Sequence, residues 1–152
     1  VKISPQFIQA ITFAMDSCSR DMSRAVLTCV HITTTHVEAS DGMRICQYAL
    51  EEEIEVPEFL LPANVAAKIV KANVIAVCIT QGWAHFRTKD KAIISCRIFE
   101  DKFPDTAAHM NVEGEKFEFP TEALNALDRA GVFSKRDHIL DEMVEILISK
   151  NK

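Results

Sequence analysis

One short pattern recurs three times at nearly constant spacing, and it limits the available folds more than any other feature. Ser4-Pro5-Gln6-Phe7, Leu61-Pro62-Ala63-Asn64 and Phe119-Pro120-Thr121-Glu122 each join an extended stretch to a helical one. The prolines Pro5, Pro62 and Pro120 stand 57 and 58 positions apart. Proline suits the first helical position, where its fixed φ helps and its missing N–H costs nothing. Short strand-like segments follow each predicted helix, so the repeat reads as β-Pro-α-β-β-β. Units of this length stack, because none buries its apolar face alone. The expected architecture is α+β, built by duplication.

In the first repeat, a helix is predicted from Pro5 to about Cys18 with Ser4 as its cap. Phe7, Ile8, Ile11, Ala14, Met15 and Cys18 fall at helical spacing on one face. Ala25–Thr33 reads as a strand. His36–Ser40 alternates, with Val37 and Ala39 opposite His36, Glu38 and Ser40, and Asp41-Gly42 is a hairpin turn into Met43–Leu50. Glu51–Glu55 reads as a solvated connection. In the second repeat a helix is predicted from Pro62 to about Ala72, with Asn64, Lys68 and Lys71 forming a polar stripe. Strands follow at Val74–Thr80 (Ile75, Val77 and Ile79 sharing a face), Trp83–Thr88 and Ala92–Phe99. Glu100–Gly114 reads as a linker. In the third repeat, Lys116–Phe119 leads into a helix from Pro120 to Ala130, terminated by Gly131 with Leu124 and Leu127 inward, and Met143–Lys150 alternates as a strand. The pattern calls for two further strands, so a longer protein is expected.

The five cysteines, Cys18, Cys29, Cys46, Cys78 and Cys96, lie in apolar periodic segments with no C-x-x-C spacing. They read as buried reduced thiols, which implies a cytoplasmic location. The histidines are scattered, so no metal site and no cofactor is expected. Apolar residues make up 48% of the chain, but no run approaches the roughly 20 residues needed to span a bilayer. A net charge of −5 argues against a uniformly basic nucleic-acid binder, yet permits a protein that meets DNA with one face. Neither a Gly-rich phosphate loop nor a nucleophile elbow is present, so catalysis is not expected.

Three stretches, taken in order and spacing, resemble the bacterial DNA polymerase III beta subunit, the sliding clamp. Ala39-Ser40-Asp41-Gly42-Met43-Arg44-Ile45 is similar to that family's A-T-D-G-H-R-L hairpin. Arg97-Ile98-Phe99-Glu100-Asp101-Lys102-Phe103-Pro104-Asp105 is similar to its R-L-x-D-G-x-F-P-D segment. The Leu61-Pro62 helix start fits its second half-domain. The resemblance implies a DNA-clamp fold with two helices on one side of antiparallel sheets. It makes residues 1–112 the middle domain, in halves 1–57 and 58–112, and residues 113–152 the opening of a third domain.

The resemblance further implies a non-catalytic processivity factor. Such an intact protein is a homodimeric ring around duplex DNA, held without sequence recognition, and a piece lacking the first domain would not close that ring. Lys68 and Lys71, with Arg20 and Arg24 near the first helix exit, would face DNA; the same lysines also fit an ordinary solvated helix face. Gln9 and Ala10 stand where the family often has basic residues. A second implied site is a groove for Gln-x-x-Leu-Phe-type peptides from the replicative polymerase, the clamp loader and repair proteins. Its walls would be Val26, Ser40, Gly42, Met43, Arg44 and Ile45, with Pro104 opposite. Gly42 is also what an Asp-Gly turn needs, and Arg44 is also an ordinary edge charge. Met43, Ala108 and His109 depart from the family's usual residues. The rival reading is a clamp-like peptide-binding module that never encircles DNA.

Overall fold

In a computed structural model the described residues are 1–115, 118–134 and 144–147. The chain divides into two units, Val1–Val112 and Glu113–Lys152. In the first unit, helix α1 (Pro5–Met15) starts where the sequence places it: Ser4 Oγ accepts from the Phe7 N–H at 3.3 Å and Pro5 occupies the first turn. The helix stops before Cys18. Ser17 N–H donates to Ala14 O, and the serine-rich polar run beyond favours a turn over further helix. The strand expected over 25–33 forms only at Cys29–Ile32, because Ala25–Thr28 belongs to a 3-10 segment, Met22–Thr28, interrupted at Arg24. Asp21 causes this by accepting the Ser23 N–H at 2.8 Å, an N-cap that commits the backbone to turning.

Strands β1 (Cys29–Ile32), β2 (His36–Ser40), β3 (Ile45–Ala49) and β4 (Phe59–Pro62) form one antiparallel sheet in the order β3-β2-β1-β4. Helix α2 (Ala63–Ile69) follows β4 directly. Pro62 is therefore the last strand residue, paired opposite Cys29, and the helix cap rather than the first helical residue. β5 (Val74–Thr80), β6 (Trp83–Thr88) and β7 (Ile93–Arg97) form a second antiparallel sheet. A register irregularity between Val74 and Ala76 shifts the inward positions of β5. Val74 and Val77 are consequently buried and Ile75 is exposed, which corrects the simple alternation expected there. A short helix, α3 (Ala107–Met110), lies inside the segment expected to be a linker.

The two halves exchange their leading segments. β4, which opens the second half, pairs with β1 of the first. Residues 1–3, which open the first half, run antiparallel to β5 of the second: Lys2 bridges Ala76, Ile3 N–H donates to Ile75 O, and Val77 N–H donates to Val1 O. Helices α1 and α2 touch each other; α1 covers β1, β2 and β3, and α2 covers β4 and β1. One core results, with Phe7 and Ile11 from α1, Ile69 from α2, Val30, Val37 and Leu61 from the first sheet, and Val77 and Phe86 from the second.

The opposite face of the first sheet is also covered. Leu27, Cys29, Leu60 and Phe103 form a smaller apolar cluster there. Phe99 N–H donates to Leu60 O at 2.9 Å, which brings the segment after β7 back across β4. This explains why Glu38 and Ser40, on the polar face of β2, are buried.

In the second unit, helix α4 spans Thr121–Ser134. Gly131, expected to end it, lies within it. Leu127 is half-buried, but Leu124 is 64% exposed, so the inward face is Ala123, Leu127 and Ala130 rather than Leu124. These residues, with Phe119, Pro120 and Val144–Leu147, line an apolar hollow of about 480 Å³. Val144–Leu147 has no regular structure. The rest of the strand expected over Met143–Lys150, and Lys116 and Phe117 of the expected leading segment, lie outside the described residues.

Candidate partner groove and helix face

The turn after β2 builds one wall of a groove. Asp41 Oδ1 accepts the N–H groups of both Met43 and Arg44 at 3.0 Å, and Ser40 Oγ accepts the Gly42 N–H at 3.0 Å while donating to Arg44 O at 2.9 Å. Burial alone would raise the Asp41 carboxyl; those two amides and the Arg44 guanidinium outweigh it and hold it below the usual carboxylate range. Gly42 has φ +89, a left-handed conformation in which a Cβ is strained, while nothing lies closer to that Cβ position than Arg24 Nη1 at 3.5 Å. Gly42→Ala should therefore destabilise the chain by about 1–2 kcal/mol through backbone strain alone. Urea unfolding would check it, and an unchanged midpoint would show that the turn relaxes freely.

Opposite that wall, the segment after Phe103 contributes Pro104, Asp105, Thr106 and His109. Together with Arg24, Leu27, Ser40, Gly42, Met43 and Ile45 these enclose about 270 Å³. Of the residues assigned from sequence, Ser40, Gly42, Met43, Ile45 and Pro104 come together here. Val26 does not line the groove; it packs behind it on the Leu27 cluster. Arg44 turns away, with Nε 2.9 Å from Asp41 Oδ2 and Nη2 donating to Asp16 O at 2.7 Å, so it fastens the turn to the end of α1. Arg24, assigned from sequence to the DNA side, instead reaches over Gly42 at the groove.

The other assigned cations lie elsewhere. Arg20, Lys68 and Lys71 are exposed, and none has an ion-pair partner among the described residues. Arg20 lines a hollow with Asn64 and Ala67 of α2, so it shares the helix side of the unit with the Asn64–Lys68 edge. Lys71 sits past the end of α2, in the turn where its N–H donates to Lys68 O.

Behind the groove lies a buried polar cluster that the sequence did not reveal. His31 Nδ1 is 2.6 Å from Glu38 Oε1, and His31 Nε2 is 2.8 Å from Glu58 Oε1. Ionised carboxylate oxygens only accept, so both contacts are hydrogen bonds at once only when His31 is an imidazolium with hydrogen on both ring nitrogens. Burial alone would lower the His31 pKa, but the bonds to Glu38 and Glu58 raise it above 6.5. Burial would likewise raise Glu38; the bonds from His31 and Thr106 hold it below 4.5 instead. Phe103 stacks on the His31 ring at 4.8 Å. The only advance signal was His31 in the otherwise apolar β1, because Glu38 shares the polar face of β2 with His36 and Ser40.

All five cysteines are free. Burial raises Cys29 and Cys96 and pushes Cys18 up to about 12, so these thiols stay protonated. Cys78 is exposed, contrary to the expectation that every cysteine is buried. Among the described residues no group of three or more His, Cys, Asp or Glu is arranged to hold a metal ion, and no helix is long and apolar enough to cross a membrane.

No family model and no curated protein matches the sequence. Solved structures do match the fold. The beta subunit from DNA polymerase of Streptococcus pyogenes superposes with a TM-score of 0.69 at 22% identity, over 88% of this chain and 40% of that one. A DNA polymerase III beta subunit from Eubacterium rectale gives 0.70 at 17% identity, over 90% of this chain and 41% of that one. A sliding clamp from Bartonella birtlesii, solved bound to griselimycin, gives 0.59 at 13% identity, over 68% and 32%. The chain spans about two fifths of the first two structures, and over that span it has the fold of the bacterial DNA polymerase III beta subunit, the sliding clamp.

Proposed function

We propose that this chain is a segment of a DNA sliding clamp, comprising the middle domain (1–112) and the opening of the third (113–152). The intact protein would be a homodimeric ring that tethers the replicative polymerase to duplex DNA without catalysing a reaction itself. The observation that carries this reading is the fold likeness over nearly nine tenths of the chain. Two features of the molecule agree with it. One is a groove beside the Gly42 turn sized for a few side chains. The other is a set of exposed cations beside paired helices in an acidic chain. Recognition in the groove would follow anchor-in-pocket logic, with a small number of apolar side chains carrying most of the energy. Contact with DNA would be through phosphates only.

An amide NMR titration with a Gln-x-x-Leu-Phe peptide and a scrambled control tests the groove. Shifts should cluster on Ser40–Ile45 and Asp105–His109, and equal responses to both peptides would refute specific recognition there. The DNA side is tested by salt dependence. Reversing Lys68 and Lys71 together (K68E, K71E) should reduce the slope of log affinity against log salt for duplex DNA by about 2. An unchanged slope, with peptide binding intact, would favour a clamp-like module that never encircles DNA.

A further inference from the structure

The wall of the groove formed by residues 104–109 lies over the polar face of β2 without pairing to it as a strand. Besides the packing of Phe103 on Leu27, Cys29 and Leu60, its ties are a stack and a hydrogen bond. Phe103 lies against His31, and Thr106 Oγ1 donates to Glu38 Oε2 at 2.6 Å across 68 positions of chain. Both Phe103 and Thr106 are buried, and they close over a carboxylate whose side chain is 4% exposed. Glu38 meets His31 from β1, His36 from its own strand at 3.7 Å, Gln47 from β3 at 3.4 Å, and Thr106. His31 meets Glu38 and, from the segment before β4, Glu58. Pro104, Asp105, Thr106 and His109 are the same residues that face Met43 and Ile45 across the groove.

We propose that His31 and Glu38 are positioning residues for the partner groove: the protonated pair holds Thr106, and with it the 104–109 wall, so peptide affinity falls when His31 loses its proton. This rests on the reading of the groove as a peptide site. The physical cause is the cost of a buried carboxylate without its cation. Neutral His31 has one N–H for two carboxylates, and the charge that balanced Glu38 is gone. The least costly way to rehydrate Glu38 is to lift the segment that covers it. The sign follows from His31 being raised and Glu38 lowered: the tie is in place between pH 4.5 and 6.5 and weakens as pH rises through the folded value of His31.

The test uses the 152-residue chain and an acetylated Gln-x-x-Leu-Phe peptide without titrating groups between pH 6 and 9. His31 is followed by side-chain NMR, and the amides of 105–109 are followed both without and with peptide. Without peptide, those amides should shift with the same midpoint as His31. With peptide, affinity should fall about tenfold across that midpoint. Thr106→Val, which removes only the hydroxyl, should bind weakly at both ends and show a flat profile. Glu38→Gln, which keeps an acceptor for Thr106 and leaves no charge to rehydrate, should also show a flat profile. His109 lines the groove itself, so His109→Gln must retain the pH dependence; its loss in that variant would overturn the proposal. Amides of 105–109 that ignore the His31 titration would also overturn it, even with peptide bound. Amides that follow His31 while no peptide binds at any pH would uphold the tie and refute the peptide reading.

Discussion

Replacing Phe86 with alanine should cost about 3–5 kcal/mol, a large share of the roughly 5–15 kcal/mol that holds a typical domain folded. Phe86 is fully buried on β6 and belongs to the same core as Phe7, Val30 and Leu61 of the first half. Because each half also supplies a leading segment to the other's sheet, the loss should be felt in both. Trp83, the chain's one tryptophan, reports on the second half. Amide exchange in β1 and β2 reports on the first. Both probes should lose stability by the same amount in Phe86→Ala. A first half that keeps its protection while Trp83 fluorescence reports unfolding would mean that the halves are separate cooperative units.

The second large effect is expected at His31. His31→Ala leaves Glu38 buried without its cation, with the His36 ring 3.7 Å away, and breaking such a pair from one side costs about 3–5 kcal/mol. Glu58 adds little, since its side chain is 64% exposed. Removing both partners, as in His31→Leu with Glu38→Val, should recover much of the loss, because no unpaired charge remains. The pH dependence has two limbs. His31 is raised in the fold, so its contribution is full below 6.5 and is lost as pH climbs through the raised value. Glu38 is lowered, so its contribution is full above 4.5 and is lost as pH drops through the depressed value. The difference between wild type and the double variant should thus be greatest between 4.5 and 6.5. A difference that stays flat from pH 4 to 9 would show that the pair is not ionised in the fold.

What could be read in advance was local. Ser4-Pro5 announces a capped helix, and Asp41-Gly42 a turn whose positive φ leaves little choice. The alternation of β2 was also legible, but its meaning was not. Polar His36, Glu38 and Ser40 suggest a wet face, and only the return of residues 99–106 makes it a dry one. That contact joins Glu38 to Thr106, a pairing no periodicity records. Short-range competition accounts for other differences. The Asp21 cap diverts Ala25–Thr28 from strand to turn, and the register irregularity in β5 turns Ile75 outward. At the groove, the resemblance placed the residues near the turn together, but it also placed Val26 and Arg44 there, which do not line it, and assigned Arg24, which does, to the DNA side. The reach of a long side chain depends on what it can bond, and Asp16 O and Asp41 decided it for Arg44.

The trading of leading segments has a consequence for how such a unit could arise. A half on its own would keep a strand with nothing beside it and a sheet with a vacant edge, two defects that fit each other. Two identical copies could satisfy both at once by swapping arms, with no other change in either. Joining them head to tail in one gene would then fix the partnership permanently and free each copy to diverge.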